Sequence, residues 1–568
     1  MINKINKLLL LLCSILIIDA LQVVAQQSVQ VKKVEGLENN IFLYRDTTQN
    51  IDARGSMNAP MFIIYPDKPI NEEEANVLIN ELGLDDLIFK YAGSVGVINP
   101  VGKTYDNEKD LEAYKSFIDR MRAIFNLKII GIGNGATFVN DVISRNANEV
   151  AGIFVYGGKL TKRTPSDIPV PAYISGADKN VAAYYVKVND AEKTEENNNH
   201  IIYANDDEPL QRVVLSLNKK ATLKAAIADA WKSLFSKNYR FSNYKHTAYM
   251  GGKFGEYGSY ELEPYLMLDE SGVTRKTVIK NLNEQRLPGS KAYFWYEFIP
   301  EKTLNAPNRS IPLVVLLHGN NNDNRTQSET SGFIEVAARE NFIVAEIEWQ
   351  GAGRFPSEGF LGLDGIELVV DEVINNYPQI DPSRVYVQGL SAGAMTSAAL
   401  GIRKSHLFTA VAGHSGAIFD RPVFGFSYQG LLNEAKQKAG CVETPYFLIT
   451  GTDDNVIPFP TKENYTDNSF FNAIQIYRQM NDMPEIEIDF DSEPVLGMKL
   501  YGRETLSTNK HLTLETGKLY KGNIPLIQFT AILHYGHWNY APAAQMMWDF
   551  FKQFSRDPET KKLIYHKQ

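Results

Sequence analysis

Tyr386-Val387-Gln388-Gly389-Leu390-Ser391-Ala392-Gly393-Ala394-Met395-Thr396 sets a G-x-S-x-G pentapeptide around Ser391. The β-branched stretch before it (Val385-Tyr386-Val387) predicts a strand, and the small residues after it (Ala394–Leu400) predict a helix. The two glycines let the chain turn sharply between them and lift the Ser391 hydroxyl onto a strained point. At that point the backbone N–H of Ala392, next to the helix N-terminus, can face a developing oxyanion. In a chain with 40 glycines the pentapeptide alone is weak evidence; the strand and helix around it make it a nucleophile elbow.

Working outward, Ile311–Leu317 is a continuous apolar run, as expected of a parallel strand buried on both faces, and it ends in His318-Gly319-Asn320-Asn321. Such a loop supplies a second oxyanion amide, here assigned to Asn320. Phe342–Ile347 reads as a strand, Gly365–Asn376 as a helix, and Thr409–Gly413 and Pro445–Thr450 as further strands. This alternation predicts an α/β fold, a mostly parallel sheet with helices on both faces.

After Pro445–Thr450 come Gly451-Thr452-Asp453-Asp454. Either aspartate can orient a histidine, and the position three after the glycine favours Asp454 over Asp453. Strand Ile524–Leu533 leads to His534-Tyr535-Gly536-His537-Trp538, then a helix over Ala541–Phe554. His537 is the expected base, with His534 in reserve. The order Ser391, Asp454, His537 is that of α/β-hydrolases. His534 and His537 lack a third metal ligand, so neither metal nor cofactor is expected. His414 and Ser415 read as structural, because Ser415 lacks the second elbow glycine. Trp349 and Trp538 fit a pocket wall and a core equally well.

Asp381–Met395 resembles the poly(3-hydroxybutyrate) depolymerase and feruloyl-esterase group of secreted esterases. Leu317-His318-Gly319, Gly451–Pro458 and Gly536-His537-Trp538 followed by Met547–Phe551 fit the same group, over roughly residues 290–555. The resemblance implies an α/β-hydrolase fold and ester hydrolysis through an acyl-enzyme. The chain departs from the group at Asn320, where a cysteine is frequent, and at Ala394, where a second glycine is common.

The first half repeats the pattern in degraded form. In Lys128-Ile129-Ile130-Gly131-Ile132-Gly133-Asn134-Gly135-Ala136-Thr137 the elbow glycines align with Gly389 and Gly393, but Gly133 stands where Ser391 would. Pro60–Tyr65 matches Pro312–Leu317, with Pro66-Asp67 in place of His318-Gly319. Pro171–Asn180 matches Pro445–Asn455, with Lys179 at the acid position, and Trp231–Phe235 matches Trp548–Lys552. Two tandem α/β-hydrolase-like lobes follow, a degenerate one at 26–245 and a catalytic one at 246–568. A dinucleotide turn at Gly131–Ala136 is disfavoured, since the sixth residue of a G-x-G-x-x-G is Ala136. Asp190–Asn199 reads as a solvent loop, His246–Gly258 as the joint between lobes, and residues 485–520 as an insertion at the substrate mouth.

Lys4 and Lys7, the apolar Leu8–Ile18 and Val23-Val24-Ala25 read as a signal peptide over residues 1–25. Leu10-Leu11-Leu12 before Cys13 disfavours a lipid anchor there. An exported chain whose mature part keeps only Cys441 has no internal disulfide, so packing must stabilise it. The formal charge of −9 with no basic patch argues against nucleic acid, and no segment reaches the roughly 20 apolar residues of a membrane-spanning helix. The expected partner is an ester substrate, acyl groups on polysaccharide or a polyester. A serine peptidase of the same fold and a non-catalytic binding protein are the alternatives, and oligomeric state is left open.

Overall fold

The computed structural model describes residues 28–37, 40–45, 59–121, 126–162, 164–206, 211–218, 220–238, 240, 271–280, 282, 293–320, 322–350, 361–440, 442–507 and 512–567. The expected signal peptide, Cys13, Cys441 and the joint at His246–Gly258 lie outside the described residues.

The first lobe's sheet comprises β1 (Lys32–Lys33), β2 (Ile41–Arg45), β3 (Met61–Tyr65), β4 (Ser94–Ile98), β5 (Leu127–Ile132), β6 (Val150–Tyr156), β7 (Ala172–Ser175), β8 (Glu192–Glu196), β9 (His200–Ala204) and β10 (Arg212–Ser216). The second comprises β11 (Val273–Lys280), β12 (Tyr293–Pro300), β13 (Ile311–Leu317), β14 (Ile343–Ile347), β15 (Ile380–Leu390), β16 (Ala410–His414), β17 (Tyr446–Gly451), β18 (Tyr501–Ser507), β19 (Thr513–Lys521) and β20 (Ile524–Ile532). Spatial order is β1-β2-β4-β3-β5-β6-β7-β10-β9-β8 in one and β11-β12-β14-β13-β15-β16-β17-β20-β19-β18 in the other. Adding ten to each label of the first order gives the second, so the repeat seen in the elbow extends through both sheets.

Smaller details repeat as well. Asn189 and Asn481 each donate a side-chain amide to a carbonyl just before the preceding strand, Val170 before β7 at 2.8 Å and Thr444 before β17 at 2.9 Å. A buried arginine near the end of each lobe, Arg240 or Arg556, donates to carbonyls at the entries to β6 and β7, or to β16 and β17.

The central strands β3 and β13 are buried along their whole length. That accounts for their unbroken apolar runs, each fully buried aliphatic side chain contributing roughly 1.5–3 kcal/mol of transfer free energy. In the second sheet, parallel register pairs Leu317 with Gly389, Leu390 with His414, His414 with Ile449, and Gly451 with Ile532. The loops that follow β13, β15, β17 and β20 therefore meet at one edge, the carboxyl ends where open α/β sheets place their sites.

Two expectations change. Asp190–Asn199 is not simply a loop, because β8 lies within it as an exposed edge strand. Residues 485–520 are not wholly an insertion: β18 and β19 have counterparts in β8 and β9, so that hairpin belongs to the shared core.

Candidate active site

β15 ends at Leu390, and the helix Ala392–Arg403 begins at once, leaving Ser391 between them with φ 53° and ψ −115°. A non-glycine residue there costs on the order of 1–3 kcal/mol and persists only where the surroundings impose it. A Cβ on Gly389 would lie 2.2 Å from the Gly393 carbonyl carbon, and one on Gly393 would lie 2.1 Å from the Leu317 carbonyl oxygen. Both glycines are needed for this approach of helix to strand. The Ser391 N–H donates to the His414 carbonyl at 2.8 Å, tying the elbow to β16.

The loops that carry His537 and Asp454 are stitched together. Asp453 N–H donates to the Tyr535 carbonyl at 3.0 Å, and His534 N–H donates to Thr452 Oγ1 at 2.8 Å. His537 Nε2 lies 2.9 Å from Ser391 Oγ, and His537 Nδ1 lies 2.8 Å from Asp454 Oδ2. The other carboxylate oxygen of Asp454 accepts the N–H groups of Val456 at 3.0 Å and Ile457 at 2.8 Å. His537 and Asp454 are buried while Ser391 is half-buried. A buried carboxylate holding one ring nitrogen leaves the other free to take a proton from the hydroxyl.

The competing pair is elsewhere. His534 Nδ1 stands 3.8 Å from Asp453, both on the surface. His414 has a supporting place: its Nδ1 is 3.0 Å from Ser415 Oγ, and its Nε2 accepts the Tyr540 N–H at 3.1 Å. Burial, with the charge of His537 second, pushes its pKa down to about 3, so the ring is neutral.

The loop after β13 passes beside Ser391. A Cβ on Gly319 would be 3.5 Å from Ser391 Cβ, and Asn322 N–H closes a turn onto the Gly319 carbonyl at 3.2 Å. Half-buried Asn320 follows within that turn. Ala392 N–H belongs to the first helical turn, whose amides have no intrahelical acceptor. Beneath the loop His318 is fully buried, 3.0 Å from Glu348 Oε1 and 2.8 Å from the Gly319 carbonyl. Burial opposes protonation of its ring, but the Glu348 charge and hydrogen bond outweigh that and hold its pKa above the ordinary value. Trp349 donates to the His318 carbonyl at 3.0 Å, and both Trp349 and Trp538 are buried.

In the first lobe Gly133 has φ 55° and ψ −115° before the helix Asn134–Asp141. The Asp67 carboxylate accepts the Asn134 N–H at 2.7 Å. A Cβ on Gly133 would lie 2.1 Å from that same oxygen. The amide matching Ala392 therefore already holds a carboxylate, which also repels any phosphate and counts against a dinucleotide turn.

Sequence reasoning did not find Glu348, nor Gln327, Gln388 and Asn539, which join the elbow to the base loop as described below. Asn539 had the nearest signal, a polar residue two positions after His537.

The two mostly parallel sheets and the strand–turn–helix at Ser391 are those of an α/β-hydrolase fold. Residues 298–429 match the family model described as esterase PHB depolymerase, which bears out the resemblance read from Asp381–Met395. Among solved structures, the chain is similar to an acetyl xylan esterase from Aspergillus awamori, with 15% identity, TM-score 0.35, 49% of this chain and 99% of that one covered. It is also similar to a ferulic acid esterase, with 15% identity, TM-score 0.30, and 49% and 96% covered. A third is an S-formylglutathione hydrolase from Agrobacterium tumefaciens, with 11% identity, TM-score 0.34, and 49% and 95% covered. No curated protein matches the chain.

Proposed function

We propose that the chain is an exported serine esterase that hydrolyses carboxylic esters through an acyl-enzyme. Its second lobe is the catalytic unit and its first a degenerate copy without a nucleophile. The observation that carries this reading is the unbroken chain from Ser391 Oγ through His537 to Asp454, at 2.9 and 2.8 Å.

His537 Nε2 takes the Ser391 proton as Oγ attacks the ester carbonyl. The N–H groups of Ala392 and Asn320 hold the oxyanion. The tetrahedral intermediate collapses, the C–O bond to the alcohol breaks, and His537 passes its proton to that oxygen. Water then attacks the acyl-enzyme by the same route, giving the carboxylic acid and free Ser391. Asp454 keeps the ring oriented and stabilises imidazolium without taking the proton.

The proposed substrate class is acyl groups on polysaccharide or a polyester, supported by the family match over residues 298–429. Hydrolysis of nitrophenyl acetate, butyrate and octanoate by the full chain and by Ser391→Ala tests the reaction. Acid release from acetylated xylan, feruloylated arabinoxylan and poly(3-hydroxybutyrate) tests the class. Activity on small esters with none on any polymer contradicts the substrate assignment; equal activity in wild type and Ser391→Ala contradicts the mechanism.

A further inference from the structure

The helix Asn324–Thr330 (Asn-Arg-Thr-Gln-Ser-Glu-Thr) has no apolar side chain, yet all seven residues are buried. Burying polar side chains is unfavourable unless they find partners, so the partners indicate what such a helix is for. Gln327, at its centre, donates through Nε2 to Gln388 Oε1 at 3.0 Å, and Gln388 Nε2 donates to the Gly389 carbonyl at 3.0 Å. On its other side Gln327 Oε1 accepts from Asn539 Nδ2 at 2.9 Å, and the same Nδ2 reaches Thr330 Oγ1 at 3.0 Å. The Asn539 carbonyl accepts the Tyr535 hydroxyl at 2.6 Å.

Three side-chain amides in series thus run from the backbone two residues before Ser391 to the backbone two residues after His537. None is more than 1% exposed, so water does not compete for their bonds. The helix is also held from the first lobe. Arg325 Nε donates to Glu329 Oε1 at 2.8 Å, and its Nη1 donates to the carbonyl of Tyr91. Tyr91 is the last residue of the helix Leu84–Tyr91, and a guanidinium suits the negative end of a helix.

We propose that Gln327, with Gln388 and Asn539, is the spacer that fixes the distance between Ser391 and His537, and that the first lobe serves this spacing by seating Arg325. These are positioning residues, and the inference rests on the esterase reading, which gives that distance its purpose. The degenerate lobe then has a task that needs no site of its own: it anchors a buried polar helix through the Tyr91 carbonyl.

The test uses the full chain and the pre-steady-state burst of a nitrophenyl ester, which counts competent sites and normalises kcat to them. Gln327→Met keeps the side-chain length and removes both bonds, and Asn539→Leu removes the other end. Each is expected to lower kcat per site by about 10- to 100-fold, the scale of an ångström-sized misplacement, with KM within about twofold. The double variant is expected to be no slower than the slower single, because one break already interrupts the series. Arg325→Met is expected to lower kcat per site by about tenfold through the same helix.

A purely structural network would lower Tm and leave kcat per site unchanged. That result in Gln327→Met and Asn539→Leu, or multiplying losses in the double variant, overturns the spacer. Unchanged kcat in Arg325→Met alone overturns the part given to the first lobe. If Gln327→Met does not fold, Asn539→Leu and Arg325→Met break different links and decide the matter between them. Failure of the esterase reading looks different: no nitrophenol release by wild type, or release that survives Ser391→Ala.

Discussion

Ser391 and Gly133 adopt one backbone conformation, 53°/−115° and 55°/−115°, each directly after the strand next to the central β13 or β3. The first lobe therefore has the backbone of the elbow without a serine on it. What differs is the neighbour: Gly319 leaves room for the serine, whereas the Asp67 carboxylate fills the equivalent space.

A serine placed at Gly133 will not restore a site. In a Ser391→Ala background, Gly133→Ser is expected to give no ester hydrolysis, because the Asp67 carboxylate already holds the Asn134 N–H and His200, the histidine of the described first lobe, is paired with Asp229. It should also lower stability by roughly 1–3 kcal/mol, the scale for a non-glycine residue in this region. Nitrophenyl acetate turnover and the denaturation midpoint check both parts; measurable turnover contradicts the account of the first lobe.

The neighbouring aspartates should separate cleanly. Asp454→Asn loses the acceptor at His537 Nδ1 and is expected to lower kcat by about ten-thousandfold. Asp453→Asn touches surface partners, His534 at 3.8 Å and the Thr452 hydroxyl at 3.2 Å, and should leave kcat within about twofold. Steady-state kinetics on one ester distinguishes them, and a reversed order contradicts the assignment.

Acid lability should trace to His414. Its folded pKa is about 3, below an unfolded value of roughly 6.5, so the unfolded chain binds the proton first. Stability is then lost as pH falls through about 6.5 and on towards 3, amounting to about 2 kcal/mol at pH 5. His414→Leu should weaken this fall while lowering stability at pH 8, where the Tyr540 N–H loses its acceptor. Urea titrations from pH 8 to pH 4.5 read both effects; parallel curves for the two proteins contradict the assignment.

Much of this was legible in the sequence because buried parallel strands announce themselves. Ile311–Leu317 is apolar at every position and buried at every position. The elbow, the chain order of Ser391, Asp454 and His537, and the degraded copy at Gly133 needed only local pattern and spacing. What stayed hidden lacks such a pattern. β8 is Glu-Lys-Thr-Glu-Glu, exposed on both faces at a sheet edge, so no alternation marks it. β18 is likewise exposed throughout, so the hairpin it forms with β19 resembled an insertion. The helix Asn324–Thr330 is polar all round, and periodicity cannot reveal a helix buried by hydrogen bonds. The choice between Asp453 and Asp454 depends on which way a turn aims its side chains.

The central claim is that Ser391 is the nucleophile of this chain. Reaction of the full-length protein with a fluorophosphonate, followed by peptide mapping, tests it most directly. The account predicts one adduct per chain, on Ser391, abolished in Ser391→Ala and strongly slowed in His537→Ala. An adduct on any other residue, or none on folded wild-type protein, contradicts it.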